Sequence, residues 1–216
     1  MNVAVCIKRV PDTTTKVRIG ADGKSIDPAG VEWVISPYDE IALEAALQMK
    51  EGGKAAKVTV LCLGPKEATK EVRTALAMGA DEGVLLVDGG GERDAASVAA
   101  ALERPCVSFA TKIAVEGSGL LVHREIEGGT EVLQVPLPCV VTAQKGLAEP
   151  RYASLKGIMA AKKKPLAEKP APAAAANLRT LGLALPPARP PGKIVGKGAE
   201  AVPELVRLLK EEAKLL

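Results

Sequence analysis

The stretch VTVLCLGPKEATKEVRTALAMGADEGVLLV, residues 58–87, decides the fold class. Residues 58–63 are apolar except for Thr59, which is typical of a strand of the buried type. A Gly-Pro pair then turns the chain, a helical pattern continues to Met78, and a second buried-type strand follows at residues 84–87. A strand, a helix and a strand joined by short turns predict a right-handed crossover in a parallel sheet.

The segment before this stretch adds another strand and another helix. Residues 3–7 are continuously apolar and end at a position where open α/β sheets bind ligands. Ser36 is a good helix N-cap, Pro37 a good first residue and Asp39 a good first-turn acid, so a helix is predicted from there to about Lys50. The N–H groups of this helix start could hold an anion or a nucleotide edge, or could simply be capped, and the residues alone leave both alternatives open.

The segments that follow change character twice. Residues 94–103 are alanine-rich and predict a helix, and residues 105–142 predict short antiparallel strands attached to the parallel sheet. We therefore expect an α/β domain over residues 1–160, an extended Pro/Ala-rich arm over 161–201, and an amphipathic helix over 202–216. Such an arm and helix are better explained by wrapping a partner subunit than by packing on their own domain.

The composition excludes several classes of function. Aromatic residues make up 2% of the 216 residues and the net charge is +3, which argues against a nucleic-acid partner. The triple lysine at residues 162–164 is then better interpreted as a solvated patch than as a phosphate site, which stays open as the alternative. No apolar run approaches 18 residues, so we expect a soluble, cytoplasmic protein without membrane insertion.

The sequence also offers little for catalysis. Its four cysteines lack metal-ligand spacing and are expected to be buried thiols in a reducing compartment. The glycine triplet at residues 89–91 is better interpreted as a loop than as a phosphate cradle. Because no nucleophile has a base near it, we expect no catalytic residue, no metal site and no bond-making activity.

Several motifs resemble the β subunit of electron transfer flavoproteins, and the resemblance runs from the first strand to the last helix. The last motif below is specific to that family, and the others support it. They are KRV at residues 8–10, SPYDE at 36–40, TALAMGAD at 74–81, REIEGG at 124–129, and EPRYASL at 149–155 with KKKP at 162–165.

The resemblance implies a mostly parallel, doubly wound α/β fold of the adenine-nucleotide α-hydrolase-like type. It also implies a heterodimer with a larger α subunit that holds most of the FAD. The complex would carry electrons from acyl-CoA dehydrogenases of fatty acid β-oxidation to a quinone-linked oxidoreductase. The β subunit would shape one side of the flavin pocket, bind a structural AMP and dock the dehydrogenase.

The same resemblance assigns residues to these roles. Leu155 would be the anchor that enters an apolar pocket on the dehydrogenase, and Glu125 would hold the flavin domain in a non-productive orientation. The implied AMP contacts are Cys6, Ser36, Pro37, Tyr38, Asp39 and Leu63. The implied partner-recognition residues are Glu149, Pro150, Arg151, Tyr152, Leu155, Ile158 and Met159.

The sequence departs from the family after Asp94, where a few dozen residues are missing. Taken literally, the gap removes a sheet strand and the main phosphate contacts of AMP. Losing a central strand would expose both of its neighbours, which favours an omission over a true deletion.

Two other functions stay open: a stand-alone adenine-nucleotide-binding regulatory module, and a β-type subunit of a bifurcating complex with a second flavin in the AMP position.

Overall fold

The computed structural model describes residues 1–87, 105–171, 179–188 and 191–215. Short 3₁₀ turns at Lys66–Ala68 and Ala199–Ala201 precede the second and the last helix. The elements in chain order are β1 (Asn2–Ile7), β2 (Arg9–Pro11), β3 (Trp33–Ile35), α1 (Pro37–Glu51), β4 (Lys57–Gly64), α2 (Thr69–Met78), β5 (Glu82–Val87), β6 (Cys106–Glu116), β7 (Gly119–Ile126), β8 (Gly129–Pro136), β9 (Val140–Ala143), α3 (Leu155–Ala161), β10 (Leu166–Pro170) and α4 (Val202–Glu211).

The main sheet has the strand order β1-β4-β5-β10, and every pair in it is parallel. Because this order advances in one direction only, right-handed connections place α1 and α2 on the same face. Their apolar side chains form one core with the inward residues of the strands, among them Val58, Val60 and Leu85. The predicted α/β fold with a mostly parallel sheet is confirmed.

The second face of this sheet differs from the expectation of strands covered on both sides. Leu61 and Leu63 alternate with the buried residues of β4 and are half-buried, and Cys6 on β1 is exposed. Within the described ranges the four strands pair without interruption, so the free strand edges are those of β1 and β10. The gap after Asp94 therefore does not expose two neighbouring strands among these four.

The strands between residues 105 and 143 form a sheet of their own, with the order β8-β7-β6-β9. The pairs β6–β7 and β7–β8 are antiparallel as predicted, but β9 runs parallel to β6. These strands pair with one another rather than with the main sheet, which corrects the expected attachment. Val107, Ala110, Leu120, Val122 and Val135 form their small core.

The predicted arm begins later than expected. Residues 166–170 pair in parallel with β5 and so belong to the main sheet. The chain divides instead into two compact units, Met1–Leu183 and Ala184–Leu216. The second unit contains α4, preceded by its 3₁₀ turn and with Pro203 in its first turn.

Three further predictions concern the cysteines, residues 89–103 and membrane-spanning helices. Of the four cysteines only Cys62 is buried, because Cys6 and Cys106 lie on strand faces that the described chain leaves open. The glycine triplet at residues 89–91 and the helix predicted at 94–103 lie outside the described residues. Among those that are described, no helix is long and apolar enough to span a membrane.

Candidate functional site

The predicted cofactor residues meet at the carboxyl-terminal edge of the main sheet. The N–H of Lys8, just beyond β1, donates to Asp39 Oδ2 at 2.7 Å, and the N–H of Ser36 donates to the Lys8 carbonyl at 2.9 Å. These two bonds tie the end of β1 to the start of α1. Cys6 pairs in register with Leu61, two residues before Leu63, so the strand ends lie side by side.

The thiols and the carboxyl group of this edge are shifted toward their neutral forms. Although part of Cys6 is exposed, desolvation of its thiol, followed by the charge of Asp39, raises the pKa of Cys6. Burial also raises the pKa of Asp39, against hydrogen bonds from Lys8 and Ser36 that favour its ionised form. Burial thus disfavours the charged forms of Cys6 and Asp39 at this edge.

The start of α1 has few N–H groups left for an anion. Pro37 has no N–H, and the N–H groups of Asp39 and Glu40 both donate to the Ser36 carbonyl, at 2.9 and 3.0 Å. The Ser36 side chain occupies the N-cap position but makes no capping bond, and two acidic residues stand in the first turn. Of the two alternatives left open by the sequence, side-chain capping is not observed, and the N–H groups of Asp39 and Glu40 are already used within the helix, so these residues make a poor cradle for a phosphate.

A buried ion pair beside this edge is a feature that sequence patterns missed. Arg9 on β2 lies 3.4 Å, Nε to Oε2, from Glu71 on α2, and its guanidinium carbon is 4.3 Å from the centre of the Trp33 ring. Glu71 is 2% exposed. Burial and then the Glu71 charge raise the pKa of the neighbouring Cys62 to about 11. This ion pair links the β2–β3 ribbon to α2. Arg9 and Glu71 are 62 positions apart in the sequence, so no local pattern could have predicted their contact.

Glu125 lies at the exposed end of β7, beside an open concavity of about 950 Å³ that Phe109 and Gln144 also line. Phe109 has φ 59°, a left-handed conformation that bulky residues rarely adopt, at an irregularity in the β6 pairing. The neighbouring Arg124 is held by Glu131, Nε to Oε2 at 2.6 Å. Glu125 itself is thus accessible to another chain.

Residues 149–164, called here the docking segment, carry a row of exposed apolar side chains. Tyr152 is 98% exposed, Leu155 78% and Met159 61%, with Ile158 also exposed. Leu155 is the first residue of α3, and Ser154 caps that helix by accepting the Gly157 N–H at 3.0 Å. Leu155 is thus presented on the surface by a short helix, while residues 149–154 before it have no regular structure.

Arg151 is anchored inside the chain, unlike its apolar neighbours. Its Nε and Nη2 donate to the two oxygens of Glu44, at 2.7 and 2.8 Å, and its Nη1 and Nη2 donate to those of Glu51. Both carboxylates belong to α1, and Gln48 donates to Glu44 at 3.0 Å. The assignment of Arg151 to partner recognition therefore concerns a side chain whose contacts here are internal.

The other end of the docking segment is fastened to α2. Arg73 Nη1 donates to the carbonyls of Ala161 and Lys164, at 2.7 and 2.8 Å. Lys164 Nζ in turn donates to the carbonyls of Leu76 and Ala80, at 2.9 and 2.5 Å. Lys164 thus caps the end of α2, which corrects the expectation that the whole triple lysine is a solvated patch; the other two lysines are exposed.

The helix α4 of the second unit has an apolar side without a buried residue. Val202, Leu205 and Val206 are 51%, 43% and 45% exposed. Its charged side is tied internally, because Arg207 pairs with Glu204 and Glu211 at 2.7 Å each.

Among the residues that the structure describes, no group of three or more side chains could ligate a metal ion.

Comparison with known proteins identifies relatives over the whole chain. A family model described as the electron transfer flavoprotein domain matches residues 24–96 and, in a second match, residues 88–174. The electron transfer flavoprotein subunit beta of Bacillus subtilis is 40% identical, with all of both chains covered. Those of Bradyrhizobium diazoefficiens and Mus musculus are 37% and 30% identical, with all of this chain and 100% and 99% of theirs covered.

The alignments also locate a difference in length. The alignment with the Bradyrhizobium protein is 249 positions long, at least 33 more than the 216 residues of this chain. The two family matches meet at residues 88–96, next to the departure noted after Asp94. The Bradyrhizobium relative therefore contains residues without a counterpart here, and the overlap of the two family matches falls between β5 and β6.

Proposed function

The chain belongs to the β subunits of electron transfer flavoproteins, and from that premise we propose that it pairs with a larger α subunit to form a heterodimeric electron carrier. The FAD is held mostly by the α subunit, and when bound it accepts and releases single electrons. Acyl-CoA dehydrogenases of fatty acid oxidation are the donors, and a quinone-linked oxidoreductase is the acceptor. The chain itself makes and breaks no covalent bond.

The observation that carries this proposal is the docking segment. A row of exposed apolar side chains on a base fastened to α1 and α2 is unusual for a chain that works alone. A stand-alone nucleotide-binding module needs neither this segment nor the exposed apolar side of α4. Both features support a subunit that meets a permanent partner with one surface and transient donors with the other.

Around the flavin, the chain contributes shape rather than chemistry. Phe109 and Glu125 line the same open concavity, which supports their forming one wall of a pocket that the α subunit completes. Electron transfer requires closeness and a suitable potential, so a wall without a nucleophile or a base serves the purpose. Glu125, exposed at a strand end, is available to hold the flavin-bearing domain at rest.

AMP fits the sheet edge only in part. The strand ends at Cys6 and Leu63, where burial disfavours charge, suit the adenine, whereas the start of α1 has few N–H groups left for the phosphate. We assign the nucleoside portion of AMP to this edge and place the phosphate donors outside this set of residues. Denaturing the purified complex should release AMP, and a complex that releases none would overturn this assignment.

Co-expression with the α subunit tests the central proposal. A yellow heterodimer with one FAD, reduced by an acyl-CoA dehydrogenase in the presence of its substrate, is the expected result. Two flavins per heterodimer would support the bifurcating class instead. A colourless chain that stays single beside the α subunit would contradict the proposal.

A further inference from the structure

We infer that Arg151 is a positioning residue: it clamps the docking segment to α1 through Glu44 and Glu51, so that the exposed apolar side chains are held ready for the electron donor. This inference rests on the proposed function, because it concerns the surface that docks the donor. It assigns to Arg151 a role inside the chain rather than a contact with the donor.

The hydrogen-bonding capacity of Arg151 is nearly used up by α1. A guanidinium has five N–H donors in a fixed fork, and four bonds to the two glutamates are formed here. The hydrogen bonds that Arg151 donates to Glu51 and then to Glu44 raise the pKa of Arg151, so its positive charge is already paired. Little is left for an acidic group on a donor.

Glu44 is buried and committed to the clamp. It is 3% exposed, accepts from Arg151 and Gln48, and also receives the Arg151 backbone N–H at 3.4 Å. Burial opposes its ionisation, but the bonds from Arg151 and Gln48 outweigh burial and place the pKa of Glu44 below its ordinary value. A buried carboxylate with a bidentate arginine fixes both direction and distance, which a single charge cannot do.

The neighbours of Arg151 show what the clamp positions. Tyr152 follows it directly, and Leu155 lies four residues further on, both with most of their surface exposed. Arg73 and Lys164 fix the far end of the segment on α2. Fixed ends with an exposed middle lower the entropy lost when the apolar side chains enter a partner pocket.

Replacement of either side of the clamp tests the inference in the α/β complex with an acyl-CoA dehydrogenase as donor. Arg151→Gln and Glu44→Gln should each raise the KM for the carrier by about 3- to 10-fold, with kcat within about 2-fold of wild type. The KM of the double variant should be no higher than that of the more impaired single variant, because both substitutions remove the same interaction. Arg207→Gln, which breaks the bidentate pair of Arg207 with Glu204 in the second unit of the chain, is the matched control and should leave KM unchanged.

A direct contact between Arg151 and the donor predicts a different pattern. Arg151→Gln would then raise KM while Glu44→Gln left it at the wild-type value, and that result would overturn the inference. Arg151→Lys decides the matter if the glutamine variants lose flavin. Lysine keeps the charge without the fork, so positioning predicts a raised KM and faster amide exchange at residues 152–160, whereas charge contact predicts neither.

Failure of the proposed function would look different from failure of this inference. If the donor did not reduce the wild-type complex at all, the function would be wrong. If it reduced the wild-type and all the clamp variants with the same KM, the function would stand and the positioning role would fall.

Discussion

The docking segment and the C-terminal unit both expose apolar side chains, but they are supported in opposite ways. The docking segment stands on buried Glu44 and on α2, through Arg151 at one end and Arg73 at the other. In the unit of residues 184–215, none of the described side chains is buried, and α4 is stabilised mainly by its own backbone and by the pairs of Arg207.

This difference indicates two kinds of contact. A surface held in place before it binds loses little entropy on docking, so a modest apolar area gives brief, reversible encounters. A unit without a core of its own gains its stability when it binds, which suits a partner that stays bound. We therefore expect the docking segment to serve transient donors and the C-terminal unit to hold the α subunit.

The largest effect is expected from removing the C-terminal unit. A chain that ends before Pro186 loses the apolar side of α4 and should no longer co-purify with the α subunit. Among point variants, Leu205→Glu should weaken the complex, whereas Arg207→Gln changes only the charged side of the same helix and should leave the complex intact. Full recovery of the α subunit with the truncated chain would remove this half of the comparison.

Leu155→Ala should act on donors without affecting assembly. Burying a leucine contributes roughly 1.5–3 kcal/mol, so coupling to the dehydrogenase should fall about 10- to 100-fold. The FAD content should stay at the wild-type level, and Leu155→Met, which keeps the apolar volume, should retain most of the coupling. Wild-type transfer rates in Leu155→Ala would show that the leucine is not the anchor.

Gly157→Ala should disturb the base of the docking segment. A Cβ at this position would lie 2.3 Å from the backbone oxygen of Ala77, so α3 would have to move away from α2. We expect a loss of stability of about 1–3 kcal/mol, measured by thermal unfolding of the complex, together with a higher KM for the carrier. Gly192→Ala in the C-terminal unit meets nothing within 4 Å and is the matched control; an equal loss in both variants would contradict the packing argument.

The smallest expected effect is the loss of the clamp's contribution to stability at low pH. The pKa values of Glu44 and Glu51 are lowered in the folded chain, so the clamp contributes fully above the unfolded value of about 4.3 and is lost as the pH falls through the lower folded values. Glu44→Gln should lower the Tm of the complex by roughly 2–4 °C near pH 6, for a loss of about 1 kcal/mol. The difference should shrink toward pH 3, and a difference independent of pH would argue against an ionised clamp.

Local signals predicted the regular elements well. Ser36 and Pro37 mark the start of α1, Gly52 its end, and apolar runs mark the strands of the main sheet. Leu155 could be singled out because its motif is short and specific. These features depend on residues close together in the sequence, where propensity and capping act.

Long-range pairing could not be predicted in the same way. Arg151 and Glu44 are 107 residues apart, and the partner of Arg9 is a helix residue with no distinguishing pattern. Nothing in a lysine-rich run tells which lysine turns back, yet Lys164 caps α2 while its neighbours are exposed. The place of residues 166–170 in the sheet was also missed, because prolines and lysines around a strand are typical of an edge and resemble an arm.

The one-directional strand order of the main sheet bears on how the protein must be made. In the described residues, one face of the main sheet is only partly covered and β1 is an edge strand. Such a sheet can pair wrongly with other newly synthesised copies of the chain. Production without the companion chain should therefore give precipitate, and simultaneous synthesis should rescue it. For this polypeptide, maturation and assembly would be one event.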